Sequence, residues 1–461
     1  MRAIAERVGS DRRDVLNRHN DKHIDPHLLY LMSVLLETFQ TAYRNLELQP
    51  LMTPRELEQL GVPYGEQVIE ELVQLIEDSS SGDSKVIFSG HRGCGKSTLL
   101  AEFSRSPMLG DRYFVVLFSI ARSIEMSDVD HVNVLFAIAL NLMLKAEHES
   151  VALPKSTQDA IYKWFAELTQ TDVKEIKGEA GFGFKLLETI SLNLQTNTTL
   201  RREIKQKFER NDSELVAQLN IIAAALQAVT HKSLLVIIDD LDKLNLSVVE
   251  PIFRDNIKTL CLPGFHIIYT VPIAILRDKE ILPTLETETN GQIITMPVIK
   301  LFAKDSANDP TAPINEEILD TLCTILHRRI PDSLIDRPTA EQLIRYSGGV
   351  LRELIRIASE SCRICLRLIR RDPNLLTLQI NADILDAAVN KLRNDFAIRL
   401  GKMDYEILQK TYTNLEPEDP AQKEFLDLLN NLHILEYRNR KIWYNIHPIV
   451  VELLKDRQLI P

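Results

Sequence analysis

The chain has 461 residues, 45% hydrophobic and 26% charged, with a formal net charge of −11. That length implies several domains rather than one core, and the composition excludes a disordered chain. The acidic balance excludes a protein whose whole surface is a nucleic-acid footprint, although a local basic patch remains compatible with it.

Five cysteines, Cys94, Cys261, Cys323, Cys362 and Cys365, form no disulfide framework of the secreted kind. The charged N-terminus lacks the apolar run of a signal peptide. No apolar run approaches the roughly 20 residues that span a bilayer. A cytoplasmic protein without a membrane partner is expected.

The opening segment is polar and basic. A strongly apolar helix then begins at Pro26-His27-Leu28-Leu29-Tyr30 and runs to about Asn45. Thr53-Pro54-Arg55-Glu56 reads as a capped helix start with proline in the first turn. These N-terminal helices are expected to recruit a protein partner, with no motif to say which. A further helical pattern runs through Val68, Leu72, Leu75 and Ile76, followed by a Ser/Gly/Asp loop.

Lys85 to Ser89 is short, apolar and rich in β-formers, and reads as a buried strand. A Gly-rich loop follows at once, and a helix opens from Ser97 to Phe103. Tyr113 to Ser119 is a second strand, and Asp128 to Leu144 an amphipathic helix. Gly178 to Phe184 reads as a small β insertion before helical character returns, from about Leu200 to Val229. Leu234 to Ile238 is a third strand, ending in Asp239-Asp240. Phe265 to Thr270 and Gln292 to Met296 complete the set. Short apolar strands separated by long helical stretches predict a mainly parallel sheet with helices on both faces.

From Asn315 to Asn394 the pattern is almost wholly helical. Cys362 and Cys365 lie there as a C-x-x-C pair, read as packed helix residues, because no second pair completes a zinc site. Two short helices, Asp404 to Tyr412 and Ala421 to Leu432, precede an alternating segment, Leu435 to Ile446. Asn439-Arg440 interrupts that segment, as in a β-hairpin.

Gly90-His91-Arg92-Gly93-Cys94-Gly95-Lys96-Ser97 fits G-x-x-x-x-G-K-[ST], with Thr98 next. A phosphate chain is multiply anionic, so backbone N–H groups in a tight loop can surround it if side chains stay clear. Gly90, Gly93 and Gly95 permit such a loop. The following helix adds its positive end. Lys96 can reach the terminal phosphates, and the Ser97 hydroxyl can ligate Mg²⁺. His91 and Cys94 read as fillers whose backbone matters. ATP with Mg²⁺ is therefore the expected cofactor pair. Asp239, at a buried strand tip, can hold the metal's waters. Asp240 can activate the attacking water as a general base. Asp242 either assists or caps a helix.

Ser89 to Thr98, together with Ile237-Ile238-Asp239-Asp240-Leu241-Asp242-Lys243, resembles the AAA+ and STAND branch of P-loop ATPases. Ser347-Gly348-Gly349-Val350-Leu351-Arg352-Glu353-Leu354 is similar to that branch's second sensor motif. The resemblance implies an α/β fold. It would be a P-loop NTPase with a mainly parallel sheet flanked by helices, plus an α-helical lid and a C-terminal winged-helix domain. The implied divisions are an N-terminal helical region (1–60), the ATPase core (61–300), the lid (301–395) and the winged-helix-like domain (396–461). Arg352 would sense the γ-phosphate, unless it is a plain surface arginine. Thr270 would be the first sensor, unless it is an ordinary strand threonine. Asp239-Asp240 replaces the usual Asp-Glu, which implies slow hydrolysis. Arg277 stands where an arginine finger is often found.

The resemblance implies a regulatory switch whose lid closes on ATP about a hinge near Phe302 to Pro313. The alternative is a DNA-bound ATPase of the initiator or transposition type; a homo-oligomer is compatible with either reading. In that alternative Arg438, Arg440 and Lys441 of the hairpin would contact DNA. In the first reading the hairpin domain packs against the core.

Overall fold

The computed structural model describes residues 26–79, 82–171, 182–372, 375–438 and 441–461. Five strands form one parallel sheet: β1 (Lys85–Gly90), β2 (Tyr113–Ser119), β3 (Ser233–Asp239), β4 (His266–Pro272) and β5 (Ile293–Met296). Their order is β2-β3-β4-β1-β5, so β4 separates the phosphate-loop strand from the strand that ends in the acids. All five predicted strands are present.

The strands are buried on both faces, and their period-2 alternation divides them between two cores. On β3, Leu234, Val236 and Ile238 point into one core, and Leu235 and Ile237 into the other. Ile87 of β1 joins the first, while Val86 and Phe88 join the second.

Four helices precede or follow the phosphate loop: α1 (Pro26–Asn45), α2 (Pro54–Leu60), α3 (Glu66–Glu77) and α4 (Lys96–Phe103). The predicted start of α2 is a full capping box. Thr53 Oγ1 accepts from the Glu56 N–H, and Glu56 Oε2 accepts from the Thr53 N–H at 2.7 Å. Val68, Leu72 and Ile76 of α3 cover the second face of the sheet.

Between β2 and β3, after the short helix Ile120–Ser123, five longer helices cover the first face. They are α5 (His131–His148), α6 (Lys155–Leu168), α7 (Phe182–Thr196), α8 (Thr198–Phe208) and α9 (Asp212–Thr230). The expected β insertion is not there. Its first residues, Gly178 to Gly181, lie outside the described residues. Gly183 and Phe184 belong to α7, whose buried Leu186, Leu187, Ile190 and Leu194 repeat at helical spacing and pack into the core. Among the described helices, α9 alone is long and apolar enough on composition to cross a membrane. Its Leu215, Leu219, Ile222 and Leu226 are buried in this same core.

The lid has four helices: α10 (Glu316–His327), α11 (Arg337–Ser347), α12 (Leu351–Arg371) and α13 (Ala382–Ala397). Side-chain caps start three of them, from Asn315, Asp336 and Asn381. Cys362 and Cys365 are buried in α12, as packed helix residues should be. Burial pushes the Cys365 thiol up to about 12. Phe39 and Ala42 of α1, with Leu46 just after it, belong to the lid's core, not to a core of their own.

The C-terminal unit is α14 (Lys402–Asn414), α15 (Lys423–Asn430), strands β6 (Ile434–Arg438) and β7 (Ile442–Ile446), and α16 (Pro448–Asp456). β6 and β7 pair antiparallel, with Glu436 opposite Tyr444 and Tyr437 opposite Trp443. The tip, Asn439-Arg440, lies outside the described residues, as does the basic opening segment.

Candidate functional site: the phosphate loop and its cavity

The loop leaves β1 at the C-terminal edge of the sheet, where α/β proteins place ligands. Gly93 has φ +86°, and a Cβ there would lie 2.5 Å from Cβ of Arg352. Only glycine allows the loop and α12 to meet so closely. A second such place is Gly349, φ +82°, where a Cβ would lie 1.8 Å from the carbonyl oxygen of Ile299. The lid is thereby seated on the loop: the Arg352 N–H donates to the Gly93 carbonyl at 2.9 Å. Arg352 lines the cavity beside the loop, and none of the described carboxylates pairs with it.

Lys96 is buried and turned inward. Its Nζ donates to the carbonyls of Gly90 (2.8 Å) and His91 (2.9 Å) and pairs with Asp242 at 2.7 Å. Burial alone would lower its pKa, but the Asp242 carboxylate more than offsets that, so the ammonium stays charged. Asp242 is thus engaged by Lys96, and its carboxylate lies within 4.8 Å of those of Asp239 and Asp240. Arg92 donates to the carbonyls of Asp242 (3.3 Å) and Leu244 (3.1 Å), tying the loop to the turn after β3. Cys94 is buried filler, as expected. Thr98 Oγ1 accepts from the Leu51 N–H at 3.1 Å.

Asp239 ends β3, and the neighbouring Ser97 hydroxyl tends to lower its carboxyl pKa. Its Oδ1 is buried without a hydrogen-bond partner. Burial, then the charges of Asp240 and Asp242, push its carboxyl up to about 6. An orphaned carboxylate oxygen beside a serine hydroxyl suits a divalent cation, so Ser97 and Asp239 fit Mg²⁺. Asp240 is less free than a general base should be. Its φ is +71°, its Oδ2 accepts from Ser119 Oγ at 2.5 Å, and its Oδ1 pairs with Lys243. Thr270 is fully buried. Its hydroxyl donates to the Ile238 carbonyl (2.9 Å) and accepts from the Leu241 N–H (3.1 Å). Both bonds pin the acidic turn, so Thr270 acts here as a positioning residue.

The sequence gives no sign of the next arrangement. His91 is more than filler: its Nε2 accepts from the Glu436 N–H of β6 at 2.8 Å. Arg277 is no free finger. It holds Glu436 bidentately, Nε to Oε2 at 2.6 Å and Nη2 to Oε1 at 2.7 Å. Arg438 adds a bond to Oε1 at 2.8 Å. Burial would raise the Glu436 carboxyl, but Arg277 and Arg438 outweigh it and hold it below the usual range. Nearby, the Tyr437 hydroxyl donates to the Gly348 carbonyl at 2.8 Å, at the turn between α11 and α12.

As an acceptor at Nε2, His91 must be neutral. Burial, with Lys96 and Arg438 adding to it, pushes its pKa down to about 4. His447, which caps α16, is pushed down to about 3 by burial and then by His433. Between about pH 6.5 and 4 the unfolded chain binds protons at these positions that the folded chain refuses. Stability therefore rises with pH through that window and is lost on acidification. Asp239, raised rather than lowered, contributes the opposite sign. Burial lowers His266 and His433 in the same way and raises Glu353, Glu360 and Asp427 as it raises Asp239. The histidines' share of the stability therefore falls below about pH 6.5, while the carboxyls' share moves the other way. The fall should shrink in His91→Gln, and thermal melts across pH check it.

One cavity of about 340 Å³ joins these parts. The loop with Lys96, Arg92 and Arg352, the N-terminal segment 47–64 and lid residues Ile325, Leu351 and Ile355 line it together, and Leu351 and Tyr64 lie against Gly95 of the loop. That segment is thus a wall of the site. Asp239, Asp240 and Thr270 lie behind the loop and do not line the cavity.

Residues 66–268 match the KAP family P-loop domain. The matched stretch takes in the phosphate loop and Asp239-Asp240 and ends before the lid. No curated protein matches the chain. Among solved structures, Cdc6p from Pyrobaculum aerophilum is 12% identical with a TM-score of 0.39, over 89% of this chain and 96% of that one. The Aeropyrum pernix ORC1 protein in complex with DNA is 12% identical, TM-score 0.36, over 88% and 96%. Drosophila ORC bound to DNA is 11% identical, TM-score 0.35, over 90% and 91%.

Proposed function

From a core with the P-loop NTPase fold, we propose an ATP-operated regulatory switch of the STAND or AAA+ type that hydrolyses ATP slowly. The observation that carries it is the hold of the C-terminal unit on the phosphate loop, through His91 and Glu436. Phosphates entering the loop would draw Lys96 off Asp242 and shift the backbone around His91. That shift strains the bond from β6. Arg352 would meet the terminal phosphate, and Ser97 and Asp239 would hold Mg²⁺. The metal would supply charge neutralisation at the transferred phosphate. The tied-up state of Asp240 supports a low turnover.

Two states of the C-terminal unit are then the bistable element, biased by nucleotide. The helices and hairpin of this unit support a winged-helix-like reading. Its packing on the core supports internal regulation, because Arg438 is spent on Glu436 rather than left for a polyanion. A DNA-bound ATPase keeps some support from Arg367, Arg370 and Arg371, which are exposed at the end of α12.

Amide exchange in β6 and β7, with and without ATP·Mg²⁺ and with and without duplex DNA, tests the proposal. The switch predicts faster exchange with ATP alone. Unchanged exchange with ATP, together with a change on adding DNA, would transfer support to the alternative.

A further inference from the structure

Asp242 differs from the two acids before it. Asp239 and Asp240 do not line the cavity, whereas Asp242 lines it together with Lys96, Ser97 and Arg352. Two other carboxylates line the same cavity, Glu47 and Glu102, and both are exposed, while Asp242 is buried. The backbone of Asp242 is held from two sides. Thr270 fixes the turn through the Leu241 N–H (3.1 Å), and Arg92 holds the Asp242 carbonyl (3.3 Å). The carboxylate itself has one kind of hold among the described residues, the Lys96 ammonium at 2.7 Å. That ammonium is also the group a triphosphate would claim. Asp240, by contrast, has both oxygens engaged, one by Ser119 and one by Lys243.

We propose that Asp242, and not Asp240, is the base that takes the proton of the attacking water, and that Lys96 covers it until a triphosphate arrives. This rests on the nucleotide site proposed above. Phosphate oxygens compete for the ammonium, and a charged acceptor bearing several oxygens outbids one carboxylate. Asp242 is then bare, on a turn that cannot drift, in the cavity that holds the terminal phosphate. The water oxygen bonds to the γ-phosphorus, and the bond from that phosphorus to the bridging oxygen breaks, its electron pair leaving with ADP. The water's proton passes to the Asp242 carboxylate and then to the inorganic phosphate as it departs. The carboxylate is restored, and Lys96 can return to it. Such a base is uncovered for only part of each cycle, which accords with slow turnover.

The test uses the full chain as wild type, Asp242→Asn, Asp242→Ala and Asp240→Asn. Calorimetric titration gives the affinity for ATP·Mg²⁺, and turnover is measured at saturating nucleotide. Asp242→Asn should bind ATP as tightly as wild type or up to about tenfold tighter, because Lys96 then leaves no anion behind. Its turnover should drop by about 100-fold or more. Asp240→Asn keeps an oxygen for the Ser119 hydroxyl and should lose at least about tenfold less. Formate should raise the turnover of Asp242→Ala several-fold by entering the space of the missing carboxylate, and should not help Asp240→Asn. A residue that merely latched Lys96 would show no such rescue. Wild-type turnover in Asp242→Asn, an equal or larger loss in Asp240→Asn, or a failed rescue in an Asp242→Ala protein that still binds ATP would each overturn the inference. So would a wild type that binds ATP without hydrolysing it, although the nucleotide site would then stand. A wild type that binds no ATP would remove that site as well.

Discussion

Lys96→Ala should lower ATP affinity by at least about 100-fold, or about 2.7 kcal/mol. Part of the loss is direct. Hydrogen bonds to a charged group contribute roughly 1.5–3 kcal/mol each, and under the proposed reading the buried ammonium would turn its bonds to phosphate. The rest comes from Asp242. In the wild type its carboxylate is paired with Lys96 at 2.7 Å and almost wholly buried. Without the lysine it becomes an unpaired anion on the wall that the triphosphate must approach. The two residues are coupled, so Lys96→Ala combined with Asp242→Asn should recover part of the affinity. Isothermal titration with ATP·Mg²⁺ measures each step, and melting curves show whether the variants are folded. If Lys96→Ala binds ATP as tightly as wild type, the loop is not a phosphate site.

Glu436→Ala should free the C-terminal unit from the core. The carboxylate meets Arg277 with both oxygens and Arg438 with one, and it has no exposure to water. Removing one member of a buried pair costs roughly 3–5 kcal/mol, because the other charge is left behind. The His91 bond uses the Glu436 backbone N–H rather than its side chain, so it survives only if β6 stays in place. The expected result is faster amide exchange in β6 and β7 without nucleotide and a several-fold rise in ATP turnover. Glu436→Gln, which keeps the shape and loses the charge, should fall between the two. Wild-type exchange and wild-type turnover in Glu436→Ala would remove the regulatory role of this contact.

Much of this was legible in the sequence because it is local. Five apolar runs gave five strands, since a strand buried on both faces needs an unbroken run of apolar residues. The loop was legible because its chemistry requires glycines and a Lys-Ser pair in a fixed order. Thr53 and Glu56 announced their own cap. What stayed hidden depends on partners far along the chain. Glu436 stands 345 positions from His91, and Arg329 stands 269 from Leu60. No periodicity encodes such a meeting, and a histidine inside a Gly-rich loop carries no mark of the strand that will reach it. The residues that open α7 show the opposite hazard. Phe182, Gly183 and Phe184 suggested β structure, but Leu186, Leu187, Ile190 and Leu194 after them pack at helical spacing into the first core, and packing decided the conformation.

The wall made by residues 47–64 has a practical consequence. The matched P-loop domain begins at residue 66, which is where a fragment cut to family limits would start. Such a fragment would keep the phosphate loop but lose the segment 47–64 and, ending at residue 268, Arg352 and the lid residues that line the same cavity. An assay on it would measure an opened cavity and report a property of the cut rather than of the protein.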